Sequence, residues 1–374
     1  MKKVYFLVIN EDLKSGLLQD QLMNPIKQNL TDKYEPILFN IHRIGKGKYN
    51  DEKIRVINIP LLIPYKVFLF NKLYFLTPML ALFYAIILSF KMGKRDELIV
   101  RSYFPGLVAY MLNKIVNVNY VFDTRSLFVK EHGDRIIGSN RRMWEHFEKK
   151  ILQNSRKNIS VSQYQNEYYK SISGSDAKNI VVHCFYNVNK FITTDEKNRL
   201  RKQFGISDDD ITVCYFGSLN NWWNNVDIYS NAFNELAKSG IKILILSQDY
   251  KTLNYNNENI IIVNTNENKN LDSLIQICDY GIILLERNSD WKTRLSVKFA
   301  AYTCNGVPSI IGQYVGEAVR ISLKENIKNN VIVDYQNIAR RISRLERVKT
   351  DDRIKLIEIG NKYFTTEGIL KYLQ

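Results

Sequence analysis

Thirteen short apolar runs, set apart by polar turns and amphipathic segments, decide what this chain can fold into. Seven fall at residues 4–9, 36–41, 55–59, 98–101, 120–123, 159–162 and 180–184. A polar, charged stretch at 193–210 follows, and six more runs lie at 211–216, 242–247, 260–263, 280–285, 308–311 and 331–333. Helical periodicity marks 17–30, 141–153, 226–238 and 271–278 between them. Strands alternating with helices predict parallel sheets covered on both faces, here in two successive copies. The expected fold class is α/β: two tandem Rossmann-like domains, with an interdomain cleft where the carboxyl ends of both sheets meet. The length of 374 residues suits two domains rather than one core.

Composition narrows the setting. Cys184, Cys214, Cys278 and Cys304 are scattered without a CxxC pair, which argues against a zinc site or disulfide framework and fits a reducing cytoplasm. The first ten residues are basic then apolar, too short for a secretory signal. The net charge of +15 is uneven: residues 1–185 hold 28 Lys/Arg against 16 Asp/Glu, and residues 186–374 hold 25 against 22. A basic half suggests a polyanionic partner. Residues 73–90 are eighteen positions without a charge, flanked by Lys66, Lys72, Lys91, Lys94 and Arg95. The length just reaches that of a transmembrane span, but the run at 98–101 must return to the sheet begun at 4–9. The segment reads as a buried helix or as one with an apolar, aromatic face on the membrane interface; the basic flanks favour an anionic membrane surface bound through 61–95. No recognition module for nucleic acid accompanies the charge.

Four stretches could carry chemistry. The loop at 10–16 enters a helix through Ser15-Gly16, where Gly16 permits close backbone approach to a ligand or makes a plain turn. The second series opens with a run into Gly217-Ser218, the strand end where an open α/β sheet binds ligands; Trp222 and Trp223 beyond it could cover a base or sugar, or pack. Asp123 and Arg125 end another run, with Glu131 and His132 nearby and Arg101-Ser102-Tyr103 ending the run before. Such groups suit acceptor binding or general-base work, and equally an ion pair that organises a loop. In residues 294–308, Ser296 is an N-cap, 297–305 a helix, and Gly306 with Pro308 its stop. Lys298 would lie in the first turn and Arg294 just before it, where the helix dipole disfavours cations by about 0.3–1 kcal/mol. A phosphate held there would turn the penalty into attraction; a solvated lysine would tolerate it. His42, His132, His146 and His183 share no ligand spacing, and there is no HExxH, DxD or GxSxG, so no metal is expected.

YFGSL at 215–219, CDYGIILL at 278–285 and SVKFAAYTCNGVPSII at 296–311 together resemble bacterial GT-B glycosyltransferases, similar to glycosyltransferase family 4. IVVHCFYNVNKF at 180–191 resembles the family's interdomain crossing and NKYFTTEGILKYL at 361–373 its closing helix. The resemblance implies an acceptor-binding, membrane-facing domain at 1–187 and a nucleotide-sugar domain at 188–350, with a helix at 351–374 returning to the first. It implies donor contacts at Gly16, Gly217, Ser218, Arg294, Ser296 and Lys298, and catalytic roles for Asp123 and Arg125. Arg101, Tyr103 and Glu131 would serve the acceptor. The family's two glutamates, eight residues apart, are replaced by Thr293 and Ala301, and its Arg and Lys after the Gly-Ser turn by Asn220, Asn221 and Asn224; Glu286 is a carboxylate nearby. The implied activity is metal-independent sugar transfer, with retention, to a hydroxyl of a lipid-linked or cell-surface glycan, as in capsule, lipopolysaccharide or exopolysaccharide synthesis. It would take place on the inner face of the cell membrane. The missing carboxylates keep open a catalytically inactive scaffold of a membrane glycan-assembly complex.

Overall fold

The computed structural model describes residues 1–374 except 45–47, 65–71, 133–134, 175–177, 220–225, 250–254, 256, 266–269, 286–290, 335–337, 339–340 and 342–344. The chain divides into two compact units: residues 1–185 with 366–374, and residues 186–365.

All thirteen apolar runs form strands. In unit 1 these are β1 (Lys2–Ile9), β2 (Tyr34–Arg43), β3 (Arg55–Leu61), β4 (Glu97–Arg101), β5 (Asn119–Asp123), β6 (Lys157–Ser160) and β7 (Asn179–Val181), in the order β3-β2-β1-β4-β5-β6-β7. Unit 2 holds β8 (Thr212–Phe216), β9 (Lys242–Ser247), β10 (Ile260–Asn264), β11 (Tyr280–Ile283), β12 (Ser309–Gly312) and β13 (Val331–Val333), ordered β10-β9-β8-β11-β12-β13. Every pairing is parallel. The strand order reverses once in each sheet, between β1 and β4 and between β8 and β11. Chains leaving those neighbours diverge to opposite faces, and the crevice at their carboxyl ends is where such sheets bind ligands.

Helices cover both faces. Those of unit 1 are α1 (Leu76–Ser89), α2 (Tyr103–Val116), α3 (Gly138–Asn154) and α4 (Gln163–Ser173). Unit 2 has α5 (Thr194–Gln203), α6 (Val226–Lys238), α7 (Leu271–Gln276), α8 (Val297–Cys304), α9 (Gly316–Lys324) and α10 (Thr350–Phe364). Gly281 of β11 shows how tightly one layer closes: a Cβ there would lie 2.3 Å from the Tyr302 ring of α8. That ring is fixed by its hydroxyl, which donates to Cys214 O at 3.0 Å.

Two expectations need correction. The helix expected at 17–30 is broken into Gly16–Leu18, a π-helical turn Gln19–Met23 and Asn24–Asn29. Pro25 has no N–H to continue an α-helical ladder, and the wider turn before it absorbs the misfit. The segment 351–374 does not return to unit 1 as a whole. Helix α10 stays in unit 2, where Phe364 meets Phe299 edge-on at 6.0 Å, and only Thr366–Gln374 joins unit 1, burying Ile369 and Tyr372. The segment 73–90 contradicts neither reading. It forms a 3-10 turn Lys72–Phe75 and then α1, whose Ala81, Tyr84, Ala85 and Leu88 are buried while Phe75, Met79, Leu82, Phe83, Ile86 and Phe90 are exposed. Buried and exposed faces therefore coexist on one helix. Tyr84 fixes its placement, donating to Pro60 O at 3.1 Å and accepting from Leu62 N at 2.9 Å beside the edge strand β3. Among the described residues no helix is long and apolar enough to cross a membrane.

Candidate functional site

In unit 2, β8 ends at Phe216 and the chain turns through Gly217, whose φ of 112° disfavours any side chain. The opposite wall is the start of α8. Ser296 caps it as expected, its Oγ accepting from Lys298 N at 3.3 Å, and the first turn holds no acidic residue. Lys298 reaches back across the strand end. Its Nζ lies 5.1 Å from the centroid of the buried Tyr215 ring, and its terminal atoms come within 3.4–3.5 Å of where a Gly217 Cβ would stand. Burial alone pulls the ammonium down to about 8, with no charged neighbour contributing. A desolvated cation, a helix N-terminus and a side-chain-free strand end thus converge beside the point where the strand order reverses. An oxyanion placed there would meet all three.

Ser218 plays a different part from the one expected. Its hydroxyl donates to Asp249 Oδ2, and Asp249 N in turn donates to Ser247 Oγ at 3.0 Å. The hydroxyl proton is engaged, which leaves the backbone and Lys298 as the donors at this strand end. Arg294 is half-buried just ahead of the cap. Thr293 is also half-buried, whereas Ala301 is wholly buried in the packed face of α8. A carboxylate at Ala301 would therefore lose its hydration and need a paired partner. Trp222, Trp223, Asn220, Asn221, Asn224 and Glu286 lie outside the described residues, as does Lys66.

In unit 1 the carboxyl edge of β1, β4 and β5 carries a buried charge cluster. Asp123 is 1% exposed, and its Oδ2 lies 2.8 Å from Arg125 Nε and 3.6 Å from Arg101 Nη1. Arg101 Nε lies 3.3 Å from Glu11 Oε2 on the loop after β1. Arg125 turns back through a left-handed backbone, φ 59°, and donates to the Tyr372 hydroxyl at 2.9 Å. Burial pulls its pKa down, but Asp123, Tyr372 and Cys184 outweigh that and hold the guanidinium charged. Burial pushes the Glu11 carboxyl up, against the pull of Arg101. Of the two readings of Asp123, the arrangement fits the ion pair that organises a loop. Both guanidiniums meet Oδ2, while Oδ1 is buried without a hydrogen-bond partner.

Strain collects at the same edge. Ser102, directly after Arg101, has φ 75° and ψ 172°, a region that is essentially glycine's own. It turns the next residue inward, which corrects the acceptor role expected of Tyr103. That side chain is buried, donates to Glu148 Oε1 at 2.6 Å and lies 2.9 Å from the Tyr169 hydroxyl. Glu131 is half-buried on the short helix Phe128–Glu131. Gly16 follows Ser15, whose Oγ accepts from Leu18 N at 3.3 Å, and a Cβ on Gly16 would meet nothing within 4 Å. Glycine is not sterically required there. Sequence reasoning missed Glu11, Tyr215, Asp249 and Tyr372. Glu11 and Asp249 each lie two residues beyond a strand end, the one local signal that could have found them. Among the described residues no group of His, Cys, Asp and Glu could hold a metal ion.

Two doubly wound parallel sheets in tandem, each with a single reversal of strand order, are the GT-B class of fold. Solved structures match over the whole chain. Sucrose-phosphate synthase from Thermosynechococcus elongatus aligns with a TM-score of 0.70 and 15% identity, covering 100% of this chain and 97% of that one. The E. coli trehalose-6-phosphate structure bound with UDP-2-fluoro glucose gives 0.69 and 10%, covering 100% and 98%. Anabaena HepE in complex with UDP gives 0.69 and 13%, with the same coverage. No protein-family model and no curated protein matches the sequence.

Proposed function

We propose that this protein transfers a glycosyl group from a nucleoside diphosphate sugar to a hydroxyl of a lipid-linked or cell-surface glycan, without a metal and with retention of anomeric configuration. The observation that carries the reading is Lys298, a desolvated ammonium at a helix N-terminus facing the Gly217 strand end. In the reaction the bond from the anomeric carbon to the diphosphate oxygen breaks and one to the acceptor oxygen forms. The acceptor proton passes to the departing diphosphate. Leaving-group charge grows through that step, and Lys298 with the amides of α8 would stabilise it in a water-poor setting. UDP is the favoured carrier, since structures of the same fold are described with UDP or a UDP sugar. Retention is proposed from the resemblance of residues 215–219 and 296–311 to glycosyltransferase family 4.

The exposed apolar face of α1, with Lys91, Lys94 and Arg95 exposed beside it, supports residence on an anionic cytoplasmic leaflet, where a lipid-linked acceptor is held. Incubating the protein with UDP-sugars labelled at the anomeric carbon and a lipid-linked glycan, and reading the product by NMR, tests the proposal. An α product from an α donor is expected. A β product would overturn retention, and nucleotide binding without transfer would favour the scaffold.

A further inference from the structure

A second electropositive cavity lies in unit 2, built from residues that take no part in the site at Lys298. It encloses about 410 Å³ between α5, the residues flanking Ile277 and the start of α10. Lys197 and Arg201 stand one turn apart on α5, and Arg353 lies in the first turn of α10. Both placements are unfavourable by themselves. Like charges at i and i+4 repel, and a cation in a first turn opposes the helix dipole, although Asp351 and Asp352 share that turn with Arg353. The N-cap of α10 is Lys349, which supplies no side-chain cap.

The two arginines are engaged by the protein. Arg201 donates to Ile277 O, Ser207 O and Asp210 O at 2.9, 2.8 and 2.6 Å. Arg353 donates to Cys278 O at 2.8 Å, and Asp279 is shared between them at 3.6 and 3.4 Å. Lys197 is left over. No carboxylate among the described residues reaches ion-pairing distance of its Nζ, and its pKa falls to about 8 through burial first, then the Arg353 charge, with Asp279 opposing and Arg201 adding to the fall. With Arg347, the wall carries four cations against two carboxylates, Asp208 and Asp279.

We propose that this cavity binds a phosphomonoester, its phosphate seated on Lys197 beside Arg353. A doubly charged phosphate would answer the excess positive charge of the wall, and its oxygens would accept from the lysine. The remaining wall, with Phe191, Ile354 and Ile357 beside Asn198, suits a compact organic body more than a bare ion. The volume falls within the range of small-molecule sites. The inference does not depend on sugar transfer.

Calorimetric titration with phenyl phosphate and with inorganic phosphate tests it, using the full chain carrying Lys298→Ala so that the first site is silent. One site is expected, with phenyl phosphate bound several-fold more tightly. Adding Lys197→Ala should weaken both by roughly tenfold or more, the worth of one charge-assisted contact, while Lys197→Arg retains binding. Proton uptake near pH 8 in the Lys298→Ala protein is an independent readout should Lys197→Ala fold poorly. Equal affinity for the two probes would overturn the phosphomonoester assignment. Unchanged binding in Lys197→Ala, absence of binding at millimolar probe, or binding without proton uptake would overturn the site.

Discussion

Lys298→Met removes the ammonium at the donor site while keeping an unbranched apolar chain over the Tyr215 ring. The wild-type pKa drops from 10.5 to about 8 through burial. Roughly 1.4 kcal/mol per unit makes the cost of holding the charge about 3 kcal/mol, an upper bound because the side chain keeps some solvent contact. The sign follows from proton counting. The folded-state value lies below the unfolded one, so between about pH 8 and 10.5 the unfolded chain holds a proton that the folded chain has released. Stability of the ligand-free protein should therefore rise with pH across that window, and the rise should shrink in the variant to the share that Lys197 contributes over the same window. Binding of a nucleoside diphosphate reverses the shift. Near pH 8 the lysine is about half charged and the UDP phosphates are fully ionised, so each UDP bound should draw in about half a proton. Titration calorimetry in two buffers of different ionisation enthalpy measures that number directly. The variant should show no uptake and bind UDP roughly ten- to a hundredfold more weakly, since a charge-assisted contact is worth about 1.5–3 kcal/mol. Wild-type binding without uptake at pH 8, or equal UDP affinity in the variant, would refute the argument that this lysine meets the phosphates.

The remaining predictions concern unit 1. Ser102→Gly should stabilise the protein by about 0.5–2 kcal/mol, the relief of a glycine-only conformation less the added chain entropy, read by urea denaturation; a loss of stability would mean that the backbone there is not strained. Tyr103→Phe should cost about 1–3 kcal/mol by leaving Glu148 without its shortest donor, yet leave the acceptor KM unchanged; a raised KM would restore the acceptor role. A Met79→Glu, Ile86→Glu pair on the exposed face of α1 should abolish co-flotation with anionic vesicles without shifting the melting temperature by more than a degree or so; unaltered flotation would remove that face from membrane contact.

What the sequence reveals and what it hides divide along physical lines. Strands of a parallel sheet are buried on both faces, so each is written as a continuous apolar run and reads locally. The Gly217 turn and the misplaced cation Lys298 read locally as well, because each conflicts with a rule that acts within one turn. The pairings of the charge cluster do not. Arg125 meets a hydroxyl 247 residues away, Ser218 a carboxylate 31 away and Tyr103 one 45 away, and neither periodicity nor motif encodes such partners. The crossing back to unit 1 was misplaced for a related reason. Nothing in the periodicity of α10 says which sheet its apolar face will meet, and the fold settles that only through contacts such as Phe364 with Phe299.

The tail Thr366–Gln374 bears on how the chain is made. Ile369 and Tyr372 belong to the core of unit 1, Arg156 Nη2 donates to Tyr372 O at 2.7 Å, and Arg125 needs the Tyr372 hydroxyl. Those residues follow the whole of unit 2 in the chain. A ribosome therefore delivers 185 residues of unit 1 whose apolar layer stays open until another 180 have been translated. At about 5–20 residues per second the delay lasts roughly 10–40 s. During that interval the early half is exposed to chaperones or to mispairing, and the Asp123–Arg125 corner reaches its final form only after the later half has emerged.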